Sequence, residues 1–155
     1  MPETKWHHAV VKTISDICQT TYDHTTDGNR DPIVLSRKGI HQTCEYRPDV
    51  IADHDVGRDI YEVVGSETVN EAVVDILQFL VMHGRCKLRM FCNSPSKRKR
   101  IEDTARVILY NLGEAKEREF KERVMIYSLP INKQGMRSLH RRLRAIIYST
   151  MTNPD

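Results

Sequence analysis

The stretch CEYRPDVIADHDVGRDIYEVVGSET, residues 44–68, carries two hydrophobic runs with an acid set into each: Asp49 at the start of the first and Glu62 within the second. Between the runs lies HDVG, a connection of hairpin length that contains a glycine. A turn centred between Asp55 and Val56 places Ile51 opposite Ile60 and Asp49 opposite Glu62, on one side of a sheet and within roughly 5.5 Å at their Cα atoms. Two carboxylates so placed repel unless water surrounds them, one of them keeps its proton, or a divalent cation lies between them. A solvated face on an edge hairpin is the plain alternative to a site.

Working outward, the residues before this hairpin predict a helix from Trp6, with Val10, Ile14, Ile17 and Cys18 at helical spacing. A polar stretch, TTYDHTTDGNRD, follows, and DPIVLSRKG reads as a short strand closed by a Lys-Gly turn. After the hairpin, Thr68 and Glu71 have capping-box spacing, and Val69, Ala72, Val73, Ile76, Leu77, Leu80 and Val81 continue as a second helix. KLRMFCN predicts another strand, and Ser94, Pro95 and Ser96 open a third helix carried by Ile101, Ala105, Ile108 and Leu112. EAKEREFKER is a charged helical extension or connector, VMIYSLP a buried strand, and Met136, Leu139, Leu143 and Ile147 line a last helix. The expectation is an α/β fold, a mixed sheet flanked by helices in the order αβββαβαβα, with the later strands parallel because helices connect them.

The 155 residues suffice for one domain, 1–155, with a continuous core. A hydrophobic fraction of 39% and a charged fraction of 29% are those of a globular chain. No run has the length of a membrane span and no secretory pattern opens the chain, so a cytoplasmic location, nucleoid-associated if DNA is bound, is expected. Cys18, Cys44, Cys86 and Cys92 lack metal-binding spacing and read as small buried hydrophobes. A net charge of +3 does not by itself point to nucleic acid, but its distribution does. Lys97, Arg98, Lys99 and Arg100 form one block at a helix start; Arg137, Arg141 and Arg144 form a stripe beside the apolar face of the last helix. Both suit a phosphate backbone, and both also suit solvated faces. Low aromatic content argues against single-strand stacking modules and favours duplex or branched DNA.

The order of elements, Pro48-Asp49 at a strand start and the acid Glu62 in the next strand resemble the PD-(D/E)XK nuclease superfamily over roughly residues 5 to 130. The resemblance implies a restriction-endonuclease-like core, with Asp49 and Glu62 as ligands of Mg²⁺ or Mn²⁺. It also implies a lysine two residues after the second acid, where this chain has Val64. Lys87 is the expected substitute on the following strand, with Arg89 and Lys38 as other candidates. Glu67, His7 and His8 are candidates for completing a metal shell, against an ordinary surface role for each. Two versions follow: a divalent-metal-dependent endonuclease or resolvase-type enzyme, or a degenerate relative that binds DNA without efficient cutting. A homodimer is compatible with either. A non-enzymatic interaction or assembly subunit on the same scaffold is the competing class, and a domain binding a small phosphorylated ligand at Ser94–Ser96 is a third.

Overall fold

The computed structural model describes residues 3–36, 43–129 and 135–151. Five helices and seven strands follow one another among them: α1 (Glu3–Thr21), β1 (His24–Thr26), β2 (Ile33–Ser36), β3 (Thr43–Tyr46), β4 (Val50–His54), β5 (Gly57–Val64), α2 (Val69–Val81), β6 (Cys86–Cys92), α3 (Pro95–Leu112), α4 (Glu114–Arg123), β7 (Val124–Ser128) and α5 (Gly135–Thr150). The fold is α/β, a mixed five-stranded sheet in the order β1-β4-β5-β6-β7 flanked by helices.

The hairpin has the register its turn dictates. Ile51 pairs with Ile60 and Val50 with Tyr61 in antiparallel β4–β5, and Asp55–Val56 form the two-residue turn. Gly57 is required at its end, since a Cβ there would come within 2.2 Å of the Arg85 carbonyl oxygen. Strands β5, β6 and β7 are mutually parallel, as right-handed helical crossovers require.

The strands before the hairpin differ from the sequence expectation. IVLS forms β2, but it pairs with β3 in a separate two-stranded ribbon rather than joining the main sheet. The edge of the main sheet is instead β1, three residues from within the polar TTYDHTTDGNRD stretch, aligned with Ile51 to Asp53 of β4. So short a strand carries no apolar alternation, and only its pairing with β4 defines it.

Alternation along β5 and β6 divides the interior into two layers. Ile60, Val64, Leu88, Met90 and Cys92 pack under α2, α3 and α4, together with Ile76, Phe79, Ile101 and Phe120. Tyr61, Val63 and Phe91 face the other way, under α1 and α5, with Trp6, Ile14, Leu143 and Ile147. Thr68 caps α2 by accepting the Glu71 N–H at 3.1 Å, and Ser94 caps α3 by accepting the Lys97 N–H at 3.2 Å. Gly113, at φ +112°, breaks α3 from α4. No described helix is long and apolar enough to cross a membrane.

Candidate functional site

Hairpin register brings Asp49 and Glu62 together, and the two acids clasp each other's strands. The Asp49 N–H donates to Glu62 Oε1 at 3.0 Å, and the Val63 N–H donates to Asp49 Oδ2 at 2.8 Å. Each carboxylate therefore has one oxygen fixed by backbone and a second left for other partners. Glu62 is only 7% exposed, and its carboxyl is held well above the usual range by burial, then by the charges of Asp49 and Asp75. Asp75, from α2, is itself raised to about 6 by burial, while a hydrogen bond with Glu62 lowers it. In this pair the proton sits on Glu62, the more buried of the two, and Asp75 accepts from it.

Two further groups close around the acids. His7 Nε2 of α1 lies 3.6 Å from Asp49 Oδ2 and 3.9 Å from Glu67 Oε1, and its pKa is raised chiefly by the Asp49 hydrogen bond, against the opposing effect of burial. Tyr46 is 1% exposed, and its hydroxyl has no hydrogen-bond partner among the described residues. Burial, followed by the charges of Glu62, Asp75 and Asp49, raises that hydroxyl well above its ordinary pKa. A buried, unpartnered hydroxyl beside three acids marks a place where a polar guest would be held.

The cations are arranged differently from the sequence expectation. Lys87 pairs in register with Asp59 and alternates with Leu88, so it projects to the face opposite Glu62 and does not meet the acids. Arg89, on that same opposite face, is fully buried; its Nη1 is 3.1 Å from Asp59 Oδ2, and its Nε donates to Thr150 Oγ1 at 2.6 Å. It is a core ion pair rather than a surface group. Lys38 lies outside the described residues. On the face that Glu62 shares, the ammonium of Lys97 donates to the Gly65 carbonyl at 2.7 Å, one residue beyond Val64. His8 is exposed on α1, and among the cysteines only Cys44 is exposed; burial pushes the Cys18 thiol up to about 12.

Half of the α3 basic block is internally neutralised. Arg98 pairs with Glu102 at 3.1 Å and Lys99 with Asp103 at 2.7 Å, while Arg100 has no ion pair among the described residues. The first amides of α3, considered for a phosphorylated ligand, include one already taken by Ser94. Arg137, Arg141 and Arg144 are all exposed on α5, while Leu143 and Ile147 are buried beneath them.

Asp75 was the acid that sequence reasoning missed. Its signal was available: it stands three residues after Ala72 and four before Phe79, both fully buried, and so flanks the apolar stripe of α2. No family model, curated protein or solved structure matches this chain.

Proposed function

We propose that the chain is a DNA-binding protein with a restriction-endonuclease-like core that hydrolyses phosphodiester bonds with Mg²⁺ or Mn²⁺. The observation that carries this reading is the reciprocal clasp of Asp49 and Glu62, which ties each carboxylate to the other's strand at the end of the hairpin. Among the described residues no three His, Cys, Asp or Glu side chains are grouped to hold a metal ion. Mg²⁺ would be held here through Asp49 and Glu62 alone, keeping several waters. The unpartnered Tyr46 hydroxyl supplies a further polar neighbour. Asp49 and Glu62 would hold the ion, which when bound supplies a water of lowered pKa and charge for the phosphoryl oxygens.

The chain's own residues do the rest. Asp75 accepts the proton that Glu62 carries while the site is empty of a cation, and His7 orients Asp49 from the α1 side. Lys97 takes the part that the family gives to the lysine absent at Val64, because its ammonium ends beside Gly65 on the face of Glu62. A cation there stabilises the charge that develops on the phosphorane. A second reading, binding without efficient cutting, is favoured by the deep burial of Glu62. An interaction or assembly subunit, and a homodimer, are further readings that the same assays address.

Incubation with supercoiled plasmid and with branched DNA in Mg²⁺ or Mn²⁺ tests the proposal. Cleavage is expected, lost in Asp49→Asn and Glu62→Gln, and lowered about 10²-fold or more in Lys97→Met, the magnitude of losing one preorganised charge donor. Lys87→Met is expected to cut normally. Cleavage indifferent to Asp49→Asn and Glu62→Gln would remove the site, and DNA binding without any cleavage would leave the second reading.

A further inference from the structure

Helix α5 differs from the other charged helices in how its cations are compensated. It carries Arg137, Arg141, Arg142 and Arg144 and contains no acidic residue. None of these arginines forms an ion pair with a described residue. By contrast α3 neutralises Arg98 and Lys99, and α4 neutralises Lys116 and Lys121, with carboxylates one turn away. Four uncompensated guanidinium groups on one helix repel one another, and an external polyanion relieves that repulsion.

The surface connects this helix to Asp49. A groove of about 720 Å³ begins at Pro48–Asp49 and follows α1 past His7, His8 and Lys12 to Asp16. Asp16 also borders a hollow of about 410 Å³ between α1 and α5, whose far wall is His140, Arg144 and Tyr148. His140 and Arg144 in turn border a third hollow, of about 300 Å³, with Arg137 and Arg141. Each hollow shares a wall with the next. The guanidinium of Arg144 lies 5.2 Å from the centroid of the Tyr148 ring, which orients it at the junction.

We infer that a DNA duplex lies over this track, spanning α1 and α5 beside Asp49, and that α5 rather than the basic start of α3 is the main phosphate contact. The inference rests on the reading of the acids as a DNA site. A duplex rather than a single strand fits because Tyr148 is the one Phe, Tyr or Trp among the described residues lining the three hollows, and Arg144 lies over one face of its ring.

Fluorescence anisotropy with the full chain and a sixteen-base-pair duplex, in Ca²⁺ to prevent cutting, tests this. Replacing Arg137, Arg141 and Arg144 together by Gln is expected to weaken binding by about tenfold or more. It should also flatten the salt dependence, log K against log salt, by about 2 to 3, since each lost duplex phosphate contact removes about 0.9. Lys121→Gln, on α4 and far along the chain from the track, is the control for general loss of charge and should bind as the wild type does. Binding that ignores the triple substitution would overturn the track and leave the DNA reading standing. No binding to any duplex at low salt would overturn both. Binding sensitive to the triple substitution without cleavage in Mg²⁺ would support the track and sink only the nuclease reading.

Discussion

At the scale of single residues, the acids have opposite electrostatic needs with and without a cation. Asp75 titrates at about 6 in the fold, above the ordinary carboxylate value of about 3.9, because burial favours its neutral form, and Glu62 is raised as well. A carboxyl whose folded pKa is raised lends stability that is complete below its unfolded pKa and is lost as pH climbs through the folded value. In cation-free buffer the pair is therefore expected to lower the melting temperature progressively from about pH 4 to beyond pH 6. Asp75→Asn keeps a neutral group there at every pH. It should match the wild type near pH 4 and melt higher at pH 7.5, with Mn²⁺ restoring the wild type. Parallel pH profiles for the two proteins would show that Asp75 is not coupled to Glu62.

At the scale of elements, the loop between β1 and β2 holds the hairpin's acid in place. Gly28 donates its N–H to the Pro48 carbonyl at 2.7 Å, and a Cβ on it would lie 2.3 Å from the Arg47 carbonyl carbon. Backbone on both sides leaves little room to yield. Gly28→Ala should push Pro48–Asp49 away, costing about 1–3 kcal/mol of stability by overpacking and weakening Mn²⁺ binding more than Asp75→Asn does. Unchanged melting and unchanged Mn²⁺ affinity, by calorimetry, would mean that the loop does not position Asp49.

The same elements indicate what the sequence made legible. HDVG encodes its turn locally, so the hairpin register and the neighbouring acids could be read directly; Thr68 and Ser94 announced their helices through their own capping chemistry. What escaped depends on contacts distant along the chain. β1 exists through β4, β2 through β3, and the orientation of Lys87 away from Glu62 emerges only from the parallel register of β5 and β6. Lys97 reads as one of four basic residues until the packing of α3 brings it to Gly65.

For the whole molecule, the layer under α1 and α5 contains a fully buried ion pair. Asp59 and Arg89 are fully buried; the Tyr22 hydroxyl donates to Asp59 at 2.5 Å and lies 2.7 Å from that of Tyr61. This centre joins the end of α1, two sheet strands and, through Thr150, the end of α5. Arg89→Met should destabilise the fold by about 3–5 kcal/mol, because Asp59 would then be a buried charge without its cation. Combining it with Asp59→Asn should recover much of that loss in urea denaturation, and strictly additive losses would mean that the two residues act independently.

Strand β5 is paired on both edges, antiparallel to β4 and parallel to β6, and six of its eight residues are buried. Its amides open to solvent only when the whole sheet does, so their deuterium uptake reports global unfolding. Glu62 belongs to this slowest-exchanging strand, whereas His7 and Lys97 stand near the starts of helices, where local opening costs less. The clasped carboxylates therefore hold their spacing for as long as the molecule stays folded, while the groups around them can part on a much shorter timescale to admit a ligand.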